Sequence, residues 1–404
     1  MSERFPALVD IHCHYVPHGF PGAPDAAARP RWPCLCHREG GEAMLEIGDK
    51  PFRRLDERSW SAARRIADMD RDGVTRQVLS PMPELLSYWL ETAATIELAR
   101  HVNGVIAEVV ARRPDRFSGL GMVPMQDPAR AVEMLPGLRA DGLSGIEIGS
   151  NVNGRYLGEP EFEQVFAALA ELGMAVFIHA LHPLQAPHLA SFPDLTPFAG
   201  FVTDTGLCAS TLIMSGLLER HATLRIALSH GGGVLGPIVH RMEHGWRETK
   251  GFAGRLALSP KTAAARFYLD SLTYDAAYTR HLATLSPGNV CLGTDYPYLI
   301  EQKDPATFIS QVADGDEDPI WSAAANRFLG LHPAHPHLRS GGDREAVEGA
   351  SATAHDAVGL QRTPSSRRPG RARRSSGGRR GRWRRGRRRR SGPAPGEGAT
   401  RSRN

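Results

Sequence analysis

The chain has 404 residues, 41% of them hydrophobic, with 49 basic and 44 acidic side chains and a net charge of +5. That length can bury a large core and permits one to three domains. Five cysteines, scattered and odd in number, exclude a secreted disulfide framework, and no apolar run reaches transmembrane length. The net charge hides two regimes. Residues 332–404 hold 19 arginines, no lysine and five acids, which leaves 30 basic and 39 acidic residues for positions 1–331. The body is therefore mildly acidic, and the basic character belongs to the C-terminal segment. Met1 to Pro6 contains no apolar h-region, so the expectation is a soluble, cytoplasmic protein.

The first apolar stretch, Ala7-Leu8-Val9-Asp10-Ile11-His12-Cys13-His14, reads as a buried strand. Alternation along a strand puts His12 and His14 on one side and Cys13 on the other, against the helix layer. Pro17 to Lys50 is rich in glycine, proline and charge with no sustained period, and reads as a long loop or small inserted subdomain. Within it, Cys34-Leu35-Cys36-His37 lacks four tetrahedral ligands at zinc-finger spacing, so it reads as a surface insertion with incidental thiols.

From Trp60 helices and strands alternate. Helical spacing covers Ser61–Asp72, Thr92–Ala111, Asp127–Ala140, Glu159–Leu172, Leu207–His221, Leu235–Trp246, Asp275–Leu285 and Pro319–Leu329. Apolar strands fall at Val74–Ser80, Phe117–Pro124, Leu143–Gly149, Met174–His179, Leu224–His230, Phe267–Ser271 and Asn289–Asp295. Counting the first, eight apolar strands each lead to a helix. That pattern predicts an α/β fold, a (β/α)8 TIM barrel over residues 1–331 with an insertion at about 17–50. An open doubly wound sheet is the competing architecture. It would spread His12, His14, His179, His230 and Asp295 along a line, whereas closure gathers these strand ends round one mouth.

Residues 332–404 are Pro, Gly, Ser and Arg, with Gly381–Arg390 almost entirely arginine, and cannot bury a core. They are expected to form a disordered, low-complexity tail. Such a tract can bind nucleic acid or anionic lipid through phosphate charge, with Trp383 stacking on a base. No reader motif accompanies the charge, so a solvated tail or an extended reading frame is the preferred reading.

His12, His14, His179 and Asp295 supply three nitrogens and one oxygen, the ligand types of zinc and similar divalent ions. Zinc is favoured, with manganese as the alternative. His230 precedes Gly231-Gly232-Gly233, a tight turn read as leaving space for substrate against the backbone. It could be a further metal ligand, but it is assigned general acid/base chemistry, a role suited to a group that titrates near neutrality.

Together Asp10-Ile11-His12-Cys13-His14, the strand-end His179, Ser229-His230-Gly231-Gly232-Gly233 and Gly293-Thr294-Asp295-Tyr296-Pro297 resemble the aminocarboxymuconate-semialdehyde decarboxylase family of the amidohydrolase superfamily. The resemblance runs from about Pro6 to Leu331. It implies that His12, His14, His179 and Asp295 bind the metal, that His230 and Asp295 are catalytic, and that Arg53 and Arg241 bind substrate carboxylates. Arg54 is an alternative register for the first arginine. The second is delivered from the neighbouring subunit of a homodimer in the family's name-giving enzyme. The loop after His179 departs from the family in lacking a tryptophan beside the substrate. Related hydrolases of the wider superfamily often hold two metals bridged by a carboxylated lysine on the fourth strand; Leu143–Gly149 has no lysine, so a single ion is expected, with Glu147 leaving a second open.

The implied activity is non-oxidative decarboxylation of an unsaturated or aromatic carboxylic acid, with one divalent metal ion and no organic cofactor. A metal-dependent hydrolase or hydratase is the alternative on the same barrel, since the ligands serve both. Nucleic-acid binding through the tail is the rival from another class.

Overall fold

In a computed structural model, described for residues 8–313 and 320–331, eight parallel strands form one sheet in chain order. They are β1 (Leu8–Tyr15), β2 (Val74–Pro81), β3 (Phe117–Gly121), β4 (Gly145–Gly149), β5 (Ala175–His179), β6 (Arg225–Leu228), β7 (Tyr268–Asp270) and β8 (Val290–Cys291). The sheet closes between the segment after β8 and β1. Ile11 N donates to Leu292 O at 2.9 Å and His14 N to Tyr296 O at 2.8 Å. The expected (β/α)8 barrel is therefore present.

One main helix follows each strand: α1 (Ala62–Asp72), α2 (Thr92–Arg112), α3 (Pro128–Ala140), α4 (Glu163–Leu172), α5 (Phe201–Met214), α6 (Leu235–Glu248), α7 (Ala276–Leu285) and α8 (Ile320–Leu329). Their starts follow local chemistry. Ser61, Asp127 and Asp275 each accept a backbone N–H of the first turn of α1, α3 and α7. The barrel floor is filled by Val9, Ile11, Ala175 and Phe177 with Ala324, Ala325 and Phe328 of α8 below them. Polar chemistry is thereby confined to the other end, the C-terminal ends of the strands.

Three expectations need correction. The stretch at 17–50, read as a long loop or small inserted subdomain, is the subdomain, but its bound is wrong: it contains most of a three-stranded antiparallel sheet, Pro33–His37, Glu42–Ile47 and Lys50–Asp56, which runs on to Asp56. Its buried residues, Pro33, Leu35, Ala43, Leu45 and Leu55, are too few per strand to stand out against the surrounding charge. The eighth strand is two residues long, and Asp295 lies in the loop beyond it with φ +62°. The helix placed at Leu207–His221 begins six residues earlier and breaks at Gly216, whose φ is +73°, before a short turn at Leu217–Arg220.

Among the described residues, no helix is long and apolar enough to cross a membrane. The tail at 332–404, with Trp383, lies outside the described residues.

Candidate active site

Simple alternation along all of β1 would turn its histidines away from the barrel interior, because Val9 and Ile11 already face inward. A bulge against β2 between Asp10 and Cys13 shifts the alternation by one residue. Both histidines then point into the mouth, and the His12 ring packs against Phe177 of β5 at 5.0 Å. Cys13 is fully buried outside the ligand cluster, its thiol directed at the Asp10 carbonyl. Cys13→Ala is expected to leave metal content unchanged by elemental analysis.

His12, His14, His179 and Asp295 converge, each offering one donor atom within 4.8 Å of all the others, and all four are buried. His14 Nε2 lies 3.1 Å and His12 Nε2 3.4 Å from Asp295 Oδ1, and the two nitrogens are 3.2 Å apart. These spacings match the edge, about 3.3 Å, of a tetrahedron whose corners stand about 2 Å from a central ion. His179 Nε2 and Asp295 Oδ1 are buried without a hydrogen-bond partner. Leaving each so would cost about 1–3 kcal/mol, and a divalent cation resolves both.

Each histidine is oriented through its other nitrogen. Nδ1 of His12 lies 2.6 Å from Asp270 Oδ2, Nδ1 of His14 3.3 Å from Pro81 O, and Nδ1 of His179 2.8 Å from Ala180 O. With Nδ1 as the donor, the Nε2 lone pairs are directed at the cluster. Burial by itself would lower the His12 imidazole, yet Asp270 and Asp295 hold it up at about 10. Burial would raise Asp295, but His12 and His14 keep it well below the usual carboxylate range. The set therefore calls for positive charge among its donors.

Asp270, at the end of β7, was not singled out from the sequence. Besides holding His12 it accepts the backbone N–H of His230 at 3.0 Å and of Gly231 at 2.6 Å. Its signal was an acid at the end of an apolar strand, the same position from which the ligands come. Gly293 allows this contact, because a Cβ there would stand 2.7 Å from Asp270 Cβ and 3.0 Å from His12 Cβ. Glu147 on β4 is buried, lies 3.7 Å from His14 Nδ1 and stays outside the four-donor cluster. Burial pushes its carboxyl up to about 8.

His230 stands beside the cluster and is not a member of it. Its ring is 5.0 Å from that of His179 and 5.5 Å from that of His12. Nδ1 is 2.9 Å from Ser229 Oγ, which leaves Nε2 for chemistry. Burial, with the neighbouring His12, lowers its imidazole to about 4. The three glycines after it do not line the cavity, contrary to the substrate-space reading. A Cβ on Gly233 would meet Val202 O of α5 at 1.9 Å, so the turn is glycine-rich because it packs against its neighbours.

The mouth opens into a cavity of about 1190 Å³ with largely apolar walls, including Phe52, Phe201, Leu299 and Ile300, and with His179, His230 and Asp295 on its surface. The last strand of the small sheet brings both Arg53 and Arg54 to this cavity. Arg53 is the better placed, its guanidinium 4.5 Å above the Tyr298 ring. Tyr298 in turn stacks on His14, 5.1 Å between centroids and 22° between planes. Trp89 packs against His182, a cavity residue, at 4.7 Å. Arg241 is exposed on α6 and does not line the cavity of its own chain.

Residues 9–352 match the family model described as Amidohydrolase. The chain belongs to the amidohydrolase family. It is 32% identical over 331 residues to the 2-amino-3-carboxymuconate-6-semialdehyde decarboxylase of Dictyostelium discoideum, covering 80% of this chain and 92% of that one. This places the amidohydrolase in the decarboxylase branch that its four motifs resemble. Among solved structures it is similar to 5-carboxyvanillate decarboxylase from Sphingomonas paucimobilis, with 25% identity, a TM-score of 0.67 and coverage of 81% and 99% of the two chains. A 5-carboxyvanillate decarboxylase from Novosphingobium aromaticivorans, complexed with manganese and 4-hydroxy-3-methoxy-5-nitrobenzoic acid, matches at 26% identity and a TM-score of 0.60, covering 68% and 82%.

Proposed function

We propose that this amidohydrolase is a metal-dependent, non-oxidative decarboxylase of an unsaturated or aromatic carboxylic acid. The observation that carries it is the division of labour in the mouth. Four buried donors form an ion site, and a separate histidine and an arginine face the adjoining apolar cavity. A divalent ion held by His12, His14, His179 and Asp295 would supply Lewis-acid polarisation of a substrate oxygen. Zinc is the ion this donor set favours, with manganese as the alternative.

The chain's own groups account for the remaining steps. The Arg53 guanidinium fork pairs with a carboxylate in two parallel hydrogen bonds. The apolar walls receive the unsaturated or aromatic skeleton and exclude water. His230, neutral at pH 7, takes up a proton and delivers it from Nε2 to the carbon that the carboxyl group leaves. That carbon keeps the electron pair of the broken C–C bond and uses it to bind the proton, so no organic cofactor is required. Arg53→Ala is expected to raise KM about 10- to 100-fold with a smaller change in kcat, and Arg54→Ala to do much less.

A homodimer is part of this reading, with Arg241 serving the partner's cavity; its exposure on α6 supports that role. A cytoplasmic location accords with five free thiols. The test is to incubate the metal-loaded protein with hydroxybenzoate-type and muconate-type acids and measure CO2, with lactones and amides measured in parallel for acid release. Acid release without CO2 from any acid would replace the decarboxylase by the hydrolase reading. A chain ending at Leu331 should retain CO2 release, which separates the barrel's activity from any property of the tail.

A further inference from the structure

The outward face of the small sheet carries a cluster that the barrel's chemistry does not use. Leu35, Ala43 and Leu45 point into the core, so their neighbours Cys34, Cys36, Met44 and Glu46 lie on the opposite face. In the antiparallel register Cys36 stands opposite Met44 and Cys34 opposite Glu46, and directly paired residues share a face. The two thiols are 3.9 Å apart, Cys34 exposed and Cys36 half-buried. We propose that Cys34, Cys36 and Met44 form a binding site for a soft, low-coordinate cation of the Cu(I) type, distinct from the barrel's divalent ion.

The donor chemistry selects that class. Thiolates and thioethers favour Cu(I), whereas zinc requires four donors in a tetrahedron. Among the described residues, His, Cys, Asp and Glu side chains form no second cluster of three, so a zinc-type set is not assembled here. His37, which completes the Cys-x-Cys-His run, is committed elsewhere: its Nε2 lies 2.6 Å from the His18 carbonyl and its ring stacks on that of His18.

A disulfide is the poorer use of the pair. Cα atoms two residues apart on an extended strand are about 6.6 Å apart, near the upper end of the range a disulfide spans. Partial burial and the neighbouring Cys34 push the Cys36 thiol up to about 11, which slows thiolate-driven oxidation at neutral pH. A thiophilic ion displaces those protons on binding, one released to solvent for each thiolate formed.

The test uses the full-length, metal-loaded protein under argon, titrated with Cu(I) against the chromophoric competitor bathocuproine disulfonate. One equivalent of Cu(I) should be withdrawn from the competitor, and a thiol reagent that labels the two accessible cysteines should be blocked from both. Replacing Cys34 and Cys36 together by serine should weaken retention about a hundredfold or more and Met44→Leu about tenfold, with CO2 release unchanged. His12→Ala should leave Cu(I) retention intact. Undiminished retention in the double serine variant, or copper that fails to protect the thiols, would overturn the assignment, as would loss of retention in His12→Ala. Neither the expected nor the overturning results depend on which acid the barrel decarboxylates.

Discussion

His230→Ala is expected to lower CO2 release about 10²- to 10⁴-fold while metal content stays at the wild-type level. The reasoning is positional. His230 sits 5.0 Å from His179, ring to ring, but contributes no atom to the four-donor cluster, so its removal leaves every ligand and every Nδ1 anchor in place. What is lost is the ring nitrogen beside the ion site, Nε2 of His230, that is free to move a proton. Metal analysis and single-turnover CO2 measurement on the same preparation check both halves. His230→Asn, which keeps a polar group in contact with Ser229 but cannot shuttle a proton, should behave as His230→Ala does. Full turnover in either variant would remove His230 from the reaction.

The second large effect concerns the ion site. His12→Ala should abolish stoichiometric metal binding, since it removes one of four buried donors and opens a void against Phe177. Asp270→Asn should be intermediate, weakening metal affinity about 10- to 100-fold, because outer partners of ligating histidines contribute on that scale. An asparagine side chain retains one acceptor oxygen but loses the negative charge that supports the His12 imidazole. It also disturbs the His230 turn, whose two backbone N–H groups the carboxylate accepts. Asp270→Asn should therefore depress kcat even at saturating metal, whereas a change confined to the ligand set would be rescued by added ion. Competition with a chelator gives the affinity, and kinetics at high metal concentration give the residual defect.

The alternation of apolar strands with amphipathic helices was legible because burial on both faces of a parallel strand leaves a continuous apolar run. The ligands were legible for a related reason: His12, His14 and His179 are polar residues at the ends of such runs, where burial demands a purpose. The small sheet was not. Its strands bury one face only, their inward positions are interleaved with Cys, Glu and Arg, and its last strand, Lys50–Asp56, has only Leu55 buried. Asp270 was missed because a single acid at a strand end gives no hint of its partners, which lie 258 residues away at His12 and 40 residues away at His230.

The sequence by itself determined the barrel and the identity of the four donors, since these depend on residue type and on periodicity along the chain, whereas the separation of His230 from the donors was decided by the structure. Only the tertiary structure decided how β1 presents its histidines. Their inward aim depends on a bulge, a mismatch in pairing between Asp10 and Cys13 on one strand and Gln77 and Leu79 on the other, which neither strand encodes alone. It also decided that Arg53 rather than Arg54 stacks on Tyr298, and that the glycines after His230 fit against α5 and their other neighbours instead of the cavity. Such facts are contacts between distant segments, and they exist only once closure of the sheet has brought those segments together.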